Sequence, residues 1–243
     1  MQPQNTGSSL CVHCPLQSTT FCRSLQRQPD PGRNESTQRG LRRSFAGAAA
    51  NQTIYARGEI SDDIYILCYG WAFAVVPLTD GRRQILNVLM AGDMFPAHMA
   101  FEGKLDFSIQ ALTAVRYARI NRDDLKVKLF ADPQILDALT RICAAERCAA
   151  NNMIIDLGRR SADERIAHLI LNITERIGLR SVIREQTYPF PLRQQDIADM
   201  SGLTPVHVSR VLGKFRQANL IELSGGKLRI NNIEELRRIG LPR

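Results

Sequence analysis

The sequence predicts an α+β fold: a β-rich half, one long helix, and a helical C-terminal third that ends in a hairpin. Three observations carry this. Between residues 41 and 121, short apolar runs alternate with turn residues at roughly 8–12-residue spacing, the pattern of a small β-sandwich or barrel. Apolar residues then recur at helical spacing for about seven turns after Pro133. Beyond residue 159, two short helical stretches flank a tight turn, and an alternating hairpin follows.

Residues 1–40 are rich in Ser, Gln, Pro, Arg and Gly and hold three cysteines without periodicity, so an irregular cysteine-bearing segment is expected. Residues 41–131 form the expected β domain. Thr53-Ile54-Tyr55-Ala56 runs into Arg57-Gly58-Glu59, and Ile64-Tyr65-Ile66-Leu67-Cys68 into Tyr69-Gly70. Residues 71–76 lead to Pro77-Leu78-Thr79-Asp80-Gly81, whose Asp-Gly pair is a strong hairpin cue. Residues 85–90 stop at Ala91-Gly92-Asp93, and residues 108–117 alternate as one further strand.

A helix over 132–158 follows, with Asp132 as N-cap and Pro133 at the first helical position. Its apolar positions are Ile135, Leu136, Leu139, Ile142, Cys143, Ala149, Met153, Ile154 and Leu157. Glu146-Arg147 interrupts the stripe, so the pattern is not a strict heptad seam. A stripe this long must be covered. A second copy of the chain is the simplest cover, and the chain's own β domain is the competing one. Ser161-Ala162-Asp163-Glu164 is a capping box, opening a helix with Ile166, Leu169, Ile170, Ile173 and Ile177 on one face and Gly178 at its end.

The C-terminal region, 159–243, carries the sharpest motif. Residues 194–200 read as a short helix, Ser201-Gly202-Leu203 as a tight turn, Thr204 as an N-cap and Pro205 as the first residue of a second helix. Val208, Val211, Leu212 and Phe215 form an inward stripe, leaving Pro205, Val206, His207, Ser209, Arg210, Gly213 and Lys214 outward. Small Ala198, turn-making Gly202 and inward Val208 have the spacing of a helix-turn-helix, whose second helix places its N-terminal residues on base edges in the major groove. Arg210 suits a two-bond contact to guanine and Ser209 a base or phosphate. Lys214 and Arg216 suit phosphate. Residues 220–223, Ser224-Gly225-Gly226 and residues 227–230 make a hairpin wing with Lys227 near its tip.

Composition narrows the function class. The 243 residues are 44% hydrophobic with a formal charge of +8, compatible with a folded chain and a polyanion partner. Residues 1–158 hold 17 Lys/Arg against 15 Asp/Glu, and residues 159–243 hold 15 against 9. The excess therefore sits with the helix-turn-helix. No apolar run of about 18 residues exists, so no membrane partner is expected. The N-terminus has no basic start followed by an apolar stretch, which makes the cytoplasm the expected location. An enzyme finds no support: there is no Ser/His/Asp set, no phosphate-cradling glycine loop and no His-Glu metal helix.

The order of parts resembles the Crp/Fnr family of bacterial transcription regulators over about residues 41–235. The resemblance rests on Gly58-Glu59, Gly70-Trp71-Ala72-Phe73, Asp80-Gly81-Arg82-Arg83-Gln84, Gly92-Asp93, Ala162-Asp163-Glu164-Arg165-Ile166-Ala167 and Leu203-Thr204-Pro205-Val206-His207-Val208-Ser209-Arg210. It implies a double-stranded β-helix (β-roll) sensor domain at 41–131, a dimerisation helix at 132–158, and a winged helix-turn-helix at 159–243. It further implies a homodimer on a pseudo-palindromic promoter in double-stranded DNA, with RNA polymerase as partner. In cyclic-AMP-binding relatives, a Gly-Glu-Leu turn and an Arg-Ser pair hold the ribose and cyclic phosphate. Here the corresponding stretches are Met94-Phe95-Pro96-Ala97-His98-Met99 and Leu105-Asp106-Phe107-Ser108, so no cyclic AMP is expected. The Fnr-type branch places a Glu three residues before the Ser, where this chain has Val206, which offers only apolar contact.

Cys11, Cys14 and Cys22 have C-x₂-C-x₇-C spacing, which in a cytosolic chain points to metal or redox chemistry. An iron–sulfur cluster, zinc, or thiols without metal all fit this pattern. The spacing is similar to that of the oxygen-sensing Fnr-type branch and so implies a [4Fe-4S] cluster. That branch's fourth cysteine falls here at about Ala118, leaving Cys68, His13 or a non-protein group as fourth ligand. Cys143 and Cys148 read as core or interface thiols, and His98 and His168 as ordinary side chains. The expected function is a DNA-binding regulator controlled through the N-terminal cysteines. The alternatives are a metal or redox protein whose basic domain serves protein contacts, and a regulator answering a small molecule in the roll.

Overall fold

The alternating runs of the N-terminal half fold as two antiparallel sheets. Seven strands build them: β1 (Arg43–Ala48), β2 (Thr53–Tyr55), β3 (Asp63–Tyr69), β4 (Trp71–Pro77), β5 (Arg83–Met90), β6 (Ser108–Ala111) and β7 (Val115–Asn121). One sheet has the order β1-β7-β3, the other β2-β6-β4-β5. This computed structural model describes Phe21, Cys22, Leu25 and residues 43–241. The described residues divide into two units, one with Val88–Cys148 and the residues up to Val75, the other with Val76–Asn87 and the residues from Ala149 onward.

Between the sheets lie buried Ile64, Leu67, Leu105, Ile109 and Ile120, together with an aromatic group. Tyr65 stacks on Phe95 with centroids 5.6 Å apart and meets Tyr117 edge-on at 5.8 Å, an arrangement that ring quadrupoles favour. The single strand expected over 108–117 is in fact two. At residues 112–114 the chain changes sheets, and the Leu112 and Thr113 amides both donate to the Trp71 carbonyl at 2.8 and 3.2 Å. Side-chain alternation continues through the crossover because it reports which face is buried, not which sheet the strand joins.

Helix α1 (Arg122–Ala131) was not expected from the sequence. It starts where the Asn121 side chain accepts from the Asp123 and Asp124 amides at 3.1 and 3.3 Å. Helix α2 (Pro133–Arg159) follows, capped as expected by Asp132 Oδ1 accepting from the Gln134 amide at 2.9 Å. Only Ile135, Ala138 and Leu139 of α2 are fully buried, whereas Ile154 is 69% exposed. In the distal half of the stripe Ile154 is therefore open, while Met153 and Leu157 are half-buried. No helix among the described residues is long and apolar enough to cross a membrane.

In the second unit, α3 (Ala162–Gly178) opens on the expected capping box: the Ser161 amide donates to Glu164 at 2.7 Å and the Glu164 amide to the Ser161 hydroxyl at 3.4 Å. It buries Ile166, Ala167, Ile170, Ile173 and Ile177. The last helix of the unit, Ile233–Gly240, lies against α3 with Gly240 at the contact. A Cβ there would stand 2.7 Å from the His168 amide nitrogen and 2.9 Å from the Ala167 carbonyl carbon, both backbone atoms that cannot rotate away. Gly240→Val is expected to lower the unfolding free energy by about 1–3 kcal/mol, the usual cost of overpacking, as read by urea denaturation.

Candidate nucleic-acid interface

Two further helices and a three-stranded sheet make the motif that the sequence marked. Helix α4 spans Gln194–Ser201 and helix α5 spans Pro205–Gln217. The helix at Ile233–Gly240 is α6. Strands β8 (Thr187–Pro189), β9 (Ile221–Ser224) and β10 (Lys227–Ile230) pair in the order β8-β10-β9. The turn between α4 and α5 depends on Gly202 at φ 64°, a left-handed conformation that costs a residue with a Cβ about 1 kcal/mol or more. The Gly202 and Leu203 amides both return to the Ala198 carbonyl, closing α4.

Local chemistry starts α5 where the sequence placed it. The Thr204 hydroxyl accepts from the His207 amide at 3.3 Å, and Pro205 fills the first turn, where its missing N–H loses nothing. Val208, Val211, Leu212 and Phe215 are buried. Each contributes roughly 1.5–3 kcal/mol relative to exposure, which fixes the rotation of the helix. Thr204, Val206, His207, Ser209, Arg210, Lys214 and Arg216 are consequently exposed, and Pro205 is half-buried. His207 is exposed, and its Nδ1 lies 3.2 Å from the Thr204 hydroxyl.

Lys214, expected from the sequence to suit phosphate, is exposed but not unpartnered. It forms an ion pair with Asp163 in the first turn of α3, so a phosphate would have to compete for it. Lys227 is exposed at the start of β10, beside the Gly225-Gly226 turn. A cleft of about 390 Å³ between α4 and the wing is lined by Arg193, Arg216 and Lys227 among others. Three cations on one cleft suit a phosphate strand. Arg193 was not singled out from the sequence, although its position immediately before α4 was visible there.

Further residues missed by sequence reasoning hold α4 in place. Asp196 and Asp199, one turn apart, both face the Arg83 guanidinium. Arg83 Nη2 donates to Asp196 at 2.7 Å and Arg83 Nε to Asp199 at 2.7 Å. Asp196 also accepts from the Arg193 amide at 2.8 Å, so one carboxylate both caps the helix and binds the arginine. Arg165 donates to three carbonyls: Arg160 at 2.9 Å, Ser201 at 3.1 Å and Leu157 at 3.0 Å. It thereby fastens the end of α2 and the end of α4 to the start of α3. His168, on α3, pairs with Asp156 at 2.8 Å.

The thiols are described only in part. Cys11 and Cys14 lie outside the described residues. Cys22, Cys68 and Cys143 each pack against the core of the β domain, and Cys148 is exposed. Among the described residues, no three His, Cys, Asp or Glu side chains gather as a metal site. In the stretches matched to nucleotide-holding residues elsewhere, Phe95, Ala97, Met99 and Leu105 are buried and Asp106 is exposed.

Comparison with known proteins agrees with this architecture. Residues 48–132 match the cyclic nucleotide-binding domain family and residues 164–239 the Crp-like helix-turn-helix domain family. The nitrogen fixation regulation protein FixK of Bradyrhizobium diazoefficiens is 29% identical over 216 residues, which is 89% of this chain and 87% of that protein. The FixK protein of Rhizobium meliloti is 32% identical over 172 residues, 70% of this chain and 74% of its own length. The solved structure of FixK2 from Bradyrhizobium japonicum has the same fold, with a TM-score of 0.76 at 24% identity over 84% of this chain and 100% of that chain. With both halves matched, and relatives that run through the roll, the long helix and the wing, the chain belongs to the Crp/Fnr family of DNA-binding transcriptional regulators.

Proposed function

We propose that the protein acts as a homodimer on a pseudo-palindromic promoter site, with α5 of each copy in one of two successive major grooves and RNA polymerase as the neighbouring partner. The exposed face of α5 carries this reading: Ser209 and Arg210 stand outward over a fully buried apolar stripe. Arg210 takes a guanine, and Val206 contacts a thymine methyl. Thr204, Pro205, His207 and Ser209 line the entry to the groove, and Lys227 meets phosphate with Arg193 and Arg216. The uncovered part of α2, with Ile154 69% and Ile155 47% exposed, supports pairing through that helix.

The regulatory input is proposed to be redox or oxygen, received through Cys11, Cys14 and Cys22 with Cys68 as a candidate fourth ligand. A [4Fe-4S] cluster is the group that the spacing favours. Cyclic AMP is not proposed as effector, since Asp106 would repel the phosphate and no arginine stands in that stretch.

Fluorescence anisotropy on a duplex selected from a random pool, titrated at several salt concentrations, tests the DNA reading. Tight binding that falls steeply with salt and exceeds binding to a scrambled duplex is expected. Equal, weak binding to both would favour protein contacts for the basic domain. Anaerobic purification with iron and sulfide analysis tests the input, and a colourless, iron-free protein would end the cluster proposal.

A further inference from the structure

Glu146, the residue that breaks the apolar stripe of α2, faces inward. Ile135, Ala138 and Leu139 are buried on this side of the helix, and Ile142 and Cys143 pack on the same core. Glu146 stands three residues after Cys143, where the pattern calls for an apolar side chain. Its two carboxylate oxygens share a single donor, the Ala97 amide, at 3.1 and 3.2 Å. Ala97 opens a short 3-10 helix, Ala97–Ala100, whose Ala97, Met99 and Ala100 are buried. Among the described residues, no Lys, Arg or His forms an ion pair with Glu146. A half-buried carboxylate with one N–H for two oxygens and no cation is poorly compensated.

The surrounding charges make the position worse for an anion. Burial holds the Glu146 carboxyl above the usual range, outweighing the Ala97 amide, and the negative charge of Asp93 adds to the effect. Burial also raises the Cys143 thiol, as does the Glu146 charge one turn away. His98, next after Ala97 in the chain, is a further titratable side chain. The sign follows. A carboxyl raised on docking favours the docked state when protonated, so the penalty sets in as pH rises through the raised value and persists at neutral pH.

We propose that Glu146 is a built-in release point of α2: its charge keeps this turn of the long helix weakly seated on the β domain, poised to lift from Ala97. The turn lies between the buried proximal stripe and the more exposed distal turns that carry Ile154 and Ile155, so lifting it lengthens the stretch of α2 open to another surface.

Hydrogen–deuterium exchange of the full chain at pH 7.5 tests it. Wild-type peptides covering residues 94–101 and 140–148 are expected to exchange several-fold faster than the same peptides of Glu146→Gln, which keeps the shape and an acceptor but not the charge, with β3 unchanged. Glu146→Leu is expected to match Glu146→Gln. Faster exchange in Glu146→Gln than in wild type would mean that the charge holds the helix down, and would overturn the proposal. So would identical exchange in wild type and Glu146→Gln.

Discussion

Replacing Arg210 with Ala is expected to weaken operator binding by roughly 5- to 150-fold, equivalent to about 1–3 kcal/mol for one two-bond arginine–guanine contact. The loss should fall on a single base position, so that selection from a random pool returns a site relaxed there and unchanged elsewhere. The salt slope separates this role from a phosphate contact. Arg210→Ala should leave it nearly constant, whereas Lys227→Ala should lower it by about one counterion and weaken all sequences alike. The buried stripe makes this a clean substitution, because Arg210 is exposed and its removal leaves Val208, Val211 and Leu212 in place. An unaltered base preference would remove Arg210 from the reading set.

Loss of Arg83 is expected to cost more stability than any other single side-chain truncation around α4. Its two partners are nearly closed off, with Asp196 and Asp199 side chains 6% and 11% exposed. Stripping the cation from a buried pair typically costs about 3–5 kcal/mol. The Arg83 side chain is 31% exposed, so water recovers part of that, and about 2–3 kcal/mol is expected for Arg83→Met. At about 2–4 °C per kcal/mol, the unfolding midpoint should fall by roughly 4–12 °C in a thermal melt. The cause is testable within the same set of variants. Adding Asp196→Asn and Asp199→Asn to Arg83→Met should restore much of the loss, because Asn still accepts at the helix start but leaves no buried charge. A deficit unchanged in the triple variant would assign the cost to packing instead.

The parts of the fold that were legible in the sequence are those decided by neighbours in the chain. Pro205 and Thr204 at the start of α5, the Ser161–Glu164 box, Gly202 at the corner and the Gly225-Gly226 turn each act over a few residues, and each stands where its chemistry put it. Helix α1 escaped because its apolar face is thin, with only Leu125 and Leu129 buried, although Asn121 followed by Asp123 and Asp124 was an available start signal. Strand β8 is three residues long, too short to show a period. The interface face was readable because four buried residues dictate which others are exposed. The support for that face was not. Arg83 and Asp196 are separated by 113 residues, and no local pattern pairs them. The Lys214–Asp163 pair was hidden for the same reason, since its two residues lie 51 positions apart.

Methylation-interference footprinting of the full chain on its selected duplex tests the two-groove reading most directly. Modified guanines should interrupt binding in two clusters on one face of the duplex, centred about 10–10.5 base pairs apart, and Arg210→Ala should erase the same guanine from both. One cluster alone, or interference spread evenly along the DNA, would contradict paired α5 helices entering successive major grooves.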